Sequence, residues 1–189
     1  MQNLFNYVQT IISITEADIH LFKKYFVIQN IPANTHFLKA GDVERYIYFL
    51  DEGVVKGYQN IDGKIVIQHL VAEHDFFTSL DSFMNETPTL DYFETITDCK
   101  VIKISKSGFD TLQRETKFWD ILVKEVTKNH LSCKQERVKD FQTLTAKERY
   151  LKFLKHHPRL ALTVSIDNIA SFLGMEPQSL SRIRKQITF

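Results

Sequence analysis

Residues 166–183 contain Gln178, Ser179, Ser181 and Arg182 on one segment, which continues into Arg184 and Lys185. All six side chains donate hydrogen bonds. Arg can fork onto guanine, Gln can do the same on adenine, and Ser and Lys suit phosphate oxygens. Gln178 and Arg182 are one helical turn apart, so a helix over 177–187 aims both at base edges. Ser179, Arg184 and Lys185 are then better placed for the backbone, with Ser181 also on the reading segment. Such a helix needs a partner to hold it. Ile169, Ala170 and Leu173 give a short helix over 167–173 a small apolar face, with Ala170 permitting close approach. Gly174 supplies the turn, and Leu180 and Ile183 anchor the second helix. This spacing predicts a helix-turn-helix.

Charge agrees with that reading. After residue 133 Lys and Arg outnumber Asp and Glu by 11 to 5, while before it they are outnumbered 13 to 18, so the net charge of +1 hides a basic end on an acidic body. A basic unit is the footprint of phosphate neutralisation.

The elements that would carry this unit follow from local signals. Thr145-Ala146-Lys147-Glu148 is a capping box opening a helix over 146–156, closed by Pro158. Upstream, residues 117–141 contain no Gly or Pro and predict one long helix. Along it Trp119, Val123, Val126, His130 and Cys133 recur at spacings of four and three, a seam suited to a second copy of the helix or to burial within one subunit. Phe118 and Leu122 form a second strip able to pack back on the body. A short helix near 106–113 precedes it. Before that, short alternating runs at 35–39, 46–50, 54–58, 65–70, 91–95 and 99–104 are separated by turn signals at Gly41-Asp42, Gly53 and Asp62-Gly63, predicting an antiparallel roll. Thr15-Glu16-Ala17-Asp18 caps a helix ending near residue 27.

Taken together, these residues resemble the Crp/Fnr superfamily of bacterial transcription regulators. Gly41-Asp42 followed by the run from Tyr46 to Lys56 is similar to the family's early roll signature, and Ser181-Arg182-Ile183-Arg184 to its recognition helix. The resemblance implies an α+β protein. Its parts would be an antiparallel β-roll (double-stranded jelly-roll) sensor over 1–116, a dimerisation helix over 117–141 and a winged-helix/helix-turn-helix DNA-binding domain over 142–189. It implies duplex DNA carrying an inverted repeat, a second copy of the chain and RNA polymerase as partners. In cyclic-nucleotide-binding members a Gly-Glu pair meets the ribose and an Arg followed by a small residue meets the phosphate. Here Thr78-Ser79 and Thr89-Leu90 stand at those places, and Lys134-Gln135 stand where the long helix would meet the purine. The charge-assisted phosphate contact is missing. The expectation is a regulator with a degenerate phosphate-binding cassette that does not respond to cyclic AMP, with effector unknown. The alternatives are a cyclic-nucleotide receptor with a rewired pocket, and a β-roll protein-interaction module in which DNA binding is secondary.

Other chemistry has little support. Cys99 and Cys133 form no ligand cluster, so neither an iron-sulfur centre nor another metal site is expected, and no cofactor follows. Haem would need an axial ligand, for which His74 beside Asp75 is the histidine to watch. Ser79, His74 and Asp81 are near in sequence but sit in no nucleophile motif, so an enzyme is not expected. No apolar run approaches membrane-spanning length, which predicts a cytoplasmic protein.

Overall fold

A computed structural model of the chain describes residues 1–187. Helix α1 (Gln2–Gln9) buries Leu4, Phe5 and Val8 on one face. Helix α2 (Glu16–Tyr25) begins at the expected Thr15 cap, whose hydroxyl accepts from the Asp18 amide while the Asp18 carboxylate accepts from the Thr15 amide. Eight strands interleave with the next helix: β1 (Phe26–Ile31), β2 (His36–Leu38), β3 (Tyr46–Glu52), β4 (Val55–Ile61), β5 (Lys64–Val71), β6 (Phe76–Phe77), α3 (Leu80–Asn85), β7 (Asp91–Thr95) and β8 (Cys99–Ser105). They pair antiparallel into two four-stranded sheets ordered β1-β8-β3-β6 and β2-β7-β4-β5. The expected antiparallel β-roll is therefore present.

The sequence pattern missed α1, β1, β6 and α3 here, and a short helix over Pro158–Thr163 farther on. In β1 only Phe26 and Ile31 are buried, while Val27 and Ile28 are 57% and 46% exposed, so alternation does not mark the strand. Between the sheets Leu50, Val55 and Val101 pack with a set of rings: Phe77 stacks on Tyr48 at 5.1 Å, and Phe93 stacks on Phe37 at 6.1 Å. Gly57 has no side chain because the Phe93 ring occupies the space, with Cε1 2.6 Å from where a Cβ would stand.

Helices α4 (Lys106–Glu115) and α5 (Lys117–Thr143) follow without a break other than Thr116. They cover the outer side of the first sheet, where Phe22, Phe26, Phe49, Ile102, Phe109 and Trp119 share one core. The C-terminal unit is helical: α6 (Ala146–His156), α7 (Pro158–Thr163), α8 (Ile166–Phe172) and α9 (Pro177–Ile187). The Thr145 capping box forms as expected. No strand follows β8 among the described residues, so the helix-turn-helix is present and the strands of the expected wing are not among them. Pro158, expected to close α6, also starts α7 as its first residue, the position where a missing N–H costs nothing.

This helical unit does not stand clear of the roll. Tyr150, Leu160, Ile169, Ala170 and Leu180 share a buried cluster with Val54, and Leu70, Ala72 and Ile96 lean on it. Among the described residues no helix is long and apolar enough to cross a membrane.

Candidate nucleic-acid interface and effector pocket

The turn before α9 is built by three residues. Gly174 has φ +62, and a Cβ there would stand 2.6 Å from Cε1 of Phe141, the ring that ends the apolar side of α5. Arg149, from α6, donates Nε to the Leu173 carbonyl at 3.0 Å and Nη1 to the Leu144 carbonyl at 2.8 Å, tying carbonyls at the end of α8 to the end of α5. Its guanidinium also faces the Phe141 ring at 5.3 Å. Arg149 is one of the basic residues that charge counting assigns to nucleic acid, yet its fork is used inside the protein. Beyond this turn α9 buries Leu180 and leaves Gln178, Ser179, Arg182 and Lys185 exposed; Ser181 and Arg184 are half-buried, and Arg184 has contacts of its own.

At the cassette, Ser79 and Thr89 meet, each 5% exposed, with their hydroxyls 2.7 Å apart. Thr78 instead donates to the Tyr46 carbonyl at 2.9 Å, and Leu90 is 73% exposed. The unexpected member is Asp91. Its carboxylate accepts from Ser79 at 2.6 Å and from Gln59 at 2.8 Å. A negative group thus stands at the polar end of the cassette. Nothing in the local sequence marks it, because both partners lie on other segments.

Lys134 and Gln135 are exposed on α5. His69, on β5, is pushed down to about 4, first by burial and then by the charge of Lys134; Asp91 opposes, while Arg137 and His130 act in the same sense as Lys134. Charges on α5 thus act on His69 of the roll. His74 is exposed in a left-handed turn with φ 67.

Under the same cassette lies Glu44, 2% exposed. Its Oε1 accepts from the Tyr46 amide at 2.9 Å, and the Tyr48 hydroxyl stands 3.4 Å away. Oε2 has no hydrogen-bond partner. Burial raises its pKa to about 7, against the pull of the Tyr46 and Arg45 amides and the Tyr48 hydroxyl.

The expected seam on α5 needs correction. Trp119 is 2% exposed and touches Phe22, Phe26 and Phe109 edge-on, so it belongs to the chain's own core. Val123 and Val126 lean on that core, His130 approaches Asp75 at 3.4 Å, and Cys133 is exposed. A helix that packs on a sheet shows the same four-and-three spacing as a helix that packs on its copy, and periodicity does not name the partner. The large apolar residues that α5 leaves exposed are Ile121, Leu131, Val138 and Phe141, at 47%, 55%, 56% and 38%, of which Leu131 and Val138, seven residues apart, share one stripe.

Comparison with known proteins places these observations. Residues 28–116 match the cyclic nucleotide-binding domain family. The whole chain shares the fold of the Crp/Fnr regulators. FixK2 from Bradyrhizobium japonicum aligns with a TM-score of 0.76 at 19% identity, over 86% of this chain and 84% of its own. The c-di-GMP-responsive global regulator CLP of Xanthomonas campestris aligns at 0.70 and 15% identity, over 92% of both chains. A chain from Eubacterium rectale, described as a candidate transcriptional regulator of the Crp/Fnr family, aligns at 0.70 and 13% identity, over 93% of this chain and 84% of its own. No curated protein matches the sequence. Residues 28–116 thus match the cyclic nucleotide-binding domain family within a fold shared with the Crp/Fnr regulators.

Proposed function

We propose that the chain is a homodimeric, sequence-specific DNA-binding transcription regulator of the Crp/Fnr type, acting in the cytoplasm, and not an enzyme. The observation that carries this reading is α9, which presents Gln178, Ser179, Arg182 and Lys185 to solvent from a turn braced by Gly174 and Arg149. In a two-fold dimer the reading helices enter successive major grooves, so the operator is an inverted repeat with half-sites about 34 to 36 Å apart. The second copy packs along the exposed face of α5 that carries Leu131 and Val138. RNA polymerase is the further partner expected of such a regulator.

The roll does not take cyclic AMP or cyclic GMP. A phosphate at the cassette would meet the Asp91 carboxylate instead of a guanidinium. Like charges about 4 Å apart cost roughly 4 kcal/mol at an effective dielectric constant near 20. The proximity of Lys134 to His69 supports the competing reading, a nucleotide receptor with a rewired pocket.

Selection of duplexes from a random pool tests the function directly, followed by anisotropy titration of the selected and a scrambled duplex over a salt series. Arg182→Ala is expected to cost about 1–3 kcal/mol on the selected duplex and to relax one position. Lys185→Ala weakens both duplexes alike and flattens the salt slope. Equal loss on both duplexes for Arg182→Ala would make it a phosphate contact, and no enrichment in the selection would remove the reading.

A further inference from the structure

Strand β5 is the outer strand of its sheet, hydrogen-bonded only to β4. An open strand edge presents unpaired amides and carbonyls. Here a single side chain of α8 takes two of them: Ser171 Oγ accepts from the Ile67 amide at 3.0 Å and donates to the Ile65 carbonyl at 3.1 Å. Arg137, from α5, grips the same stretch. Its Nη1 donates to the Gln68 carbonyl at 2.7 Å and its Nη2 to the Ile67 carbonyl at 3.4 Å. The guanidinium lies over the Phe172 ring of α8 at 4.3 Å and faces Phe141 at 5.5 Å, the ring that abuts Gly174. The next residue of β5 is His69, which the cations of α5 and the carboxylate of Asp91 both influence. Residues 67–69 thus meet α5, α8 and the polar end of the roll within one turn of backbone.

We propose that Arg137 is a positioning residue, the joint through which β5 fixes the direction of the reading helix. While its fork holds β5 and its plane carries Phe172, α8 stays on the strand edge, and α9 keeps one orientation relative to α5 and so to its counterpart in a dimer. Sequence-specific binding needs that fixed separation, because both readers must meet their half-sites together. Attachment to phosphates alone does not need it. A group bound beside His69 that displaces β5 would loosen the grip and release the reading head. The inference deepens the proposed DNA-binding function and rests on it for the affinity arm of its test.

Arg137→Lys keeps the charge and removes the planar fork; Ser171→Ala removes the edge cap without touching Arg137. Both variants, the wild type and the double variant are titrated by anisotropy on selected and scrambled duplexes, and hydrogen exchange is followed at the Ile67 and Ile102 amides. Arg137→Lys is expected to lower the preference for the selected duplex about tenfold, with scrambled affinity within about twofold. Exchange at Ile67 should quicken in both single variants while Ile102, in the core, is unchanged. The double variant should lose less than the two single losses combined, because both act on one contact. Unchanged preference and unchanged Ile67 exchange in Arg137→Lys overturn the joint, as does equal weakening on both duplexes or strict additivity. If the wild type binds no DNA the proposed function fails, and the Ile67 exchange of the variants still decides whether Arg137 holds α8 to the strand.

Discussion

Replacing Glu44 with Gln tests the energetic reading of the buried carboxyl under the cassette. The amide has the shape of the protonated acid and retains an acceptor for the Tyr46 amide, which Oε1 engages at 2.9 Å. Its NH₂ takes the place of Oε2, which has no partner, so neither the protonated acid nor the amide satisfies that side. Burial raises the folded-state value to about 7 from an ordinary 4.5. A carboxyl with a raised folded value gives the fold an advantage that is fully present below the unfolded value and is lost as pH rises through the folded one. At about 1.4 kcal/mol per pH unit, the wild type should lose on the order of 2–3 kcal/mol relative to the variant between roughly pH 5 and pH 8.5, with little further change above that. His69 works in the opposite sense, because its folded value of about 4 removes stability as pH falls from its ordinary 6.5. It is common to both proteins and cancels in their difference. The assay is urea unfolding of both proteins at several pH values across this interval, read by tryptophan fluorescence from Trp119. Glu44→Gln should match the wild type at low pH and exceed it at high pH. A difference independent of pH, or one that grows toward low pH, would refute the argument.

Leu131→Glu should place a charge on the outward stripe of α5 and shift sedimentation toward monomer at unchanged folding, whereas Trp119→Ala should destabilise the chain itself by about 3–5 kcal/mol in urea unfolding. Gly174→Ala combines a left-handed backbone with the Phe141 ring, 2.6 Å from the new carbon, and should cost on the order of 2 kcal/mol or more in thermal unfolding. Titration calorimetry with cyclic AMP and cyclic GMP should show no micromolar binding; if either binds, Asp91→Asn should then strengthen it by removing the like charge.

Several parts of this architecture are legible in the residues, and the reasons differ. Both threonine caps can be read because the pairing of Thr15 with Asp18 and of Thr145 with Glu148 lies within one helical turn. The strands from β3 to β5 and from β7 to β8 can be read because short apolar runs mark them and glycines mark several turns, notably Gly41 at φ 93 and Gly53 at φ 103, although burial runs unbroken from Tyr48 to Asp51 and covers both faces of β3. Strand β1 escapes because its outward residues are apolar, and β6 because Phe76–Phe77 is too short to have a period. Helix α9 is legible because its signals are local. Asp91, Ser171 and Arg137 were not, because their partners lie on other segments and no spacing rule connects them. The same limit hides that Trp119, which the seam offers to a second copy, lies in the chain's own core while Ile121 is exposed.

The cap on β5 also bears on how the chain can be divided. With Ser171 and Arg137 in place, the Ile67 amide and the Ile65 and Ile67 carbonyls are all occupied. A protease cut near residue 144 that released the helical unit would take Ser171 away and uncover the Ile67 amide and the Ile65 carbonyl, next to Ile61 and Ile65, already 50% and 43% exposed. The severed roll would then carry a bare apolar rim able to recruit strands from neighbouring molecules. Its solubility is borrowed from the head it carries.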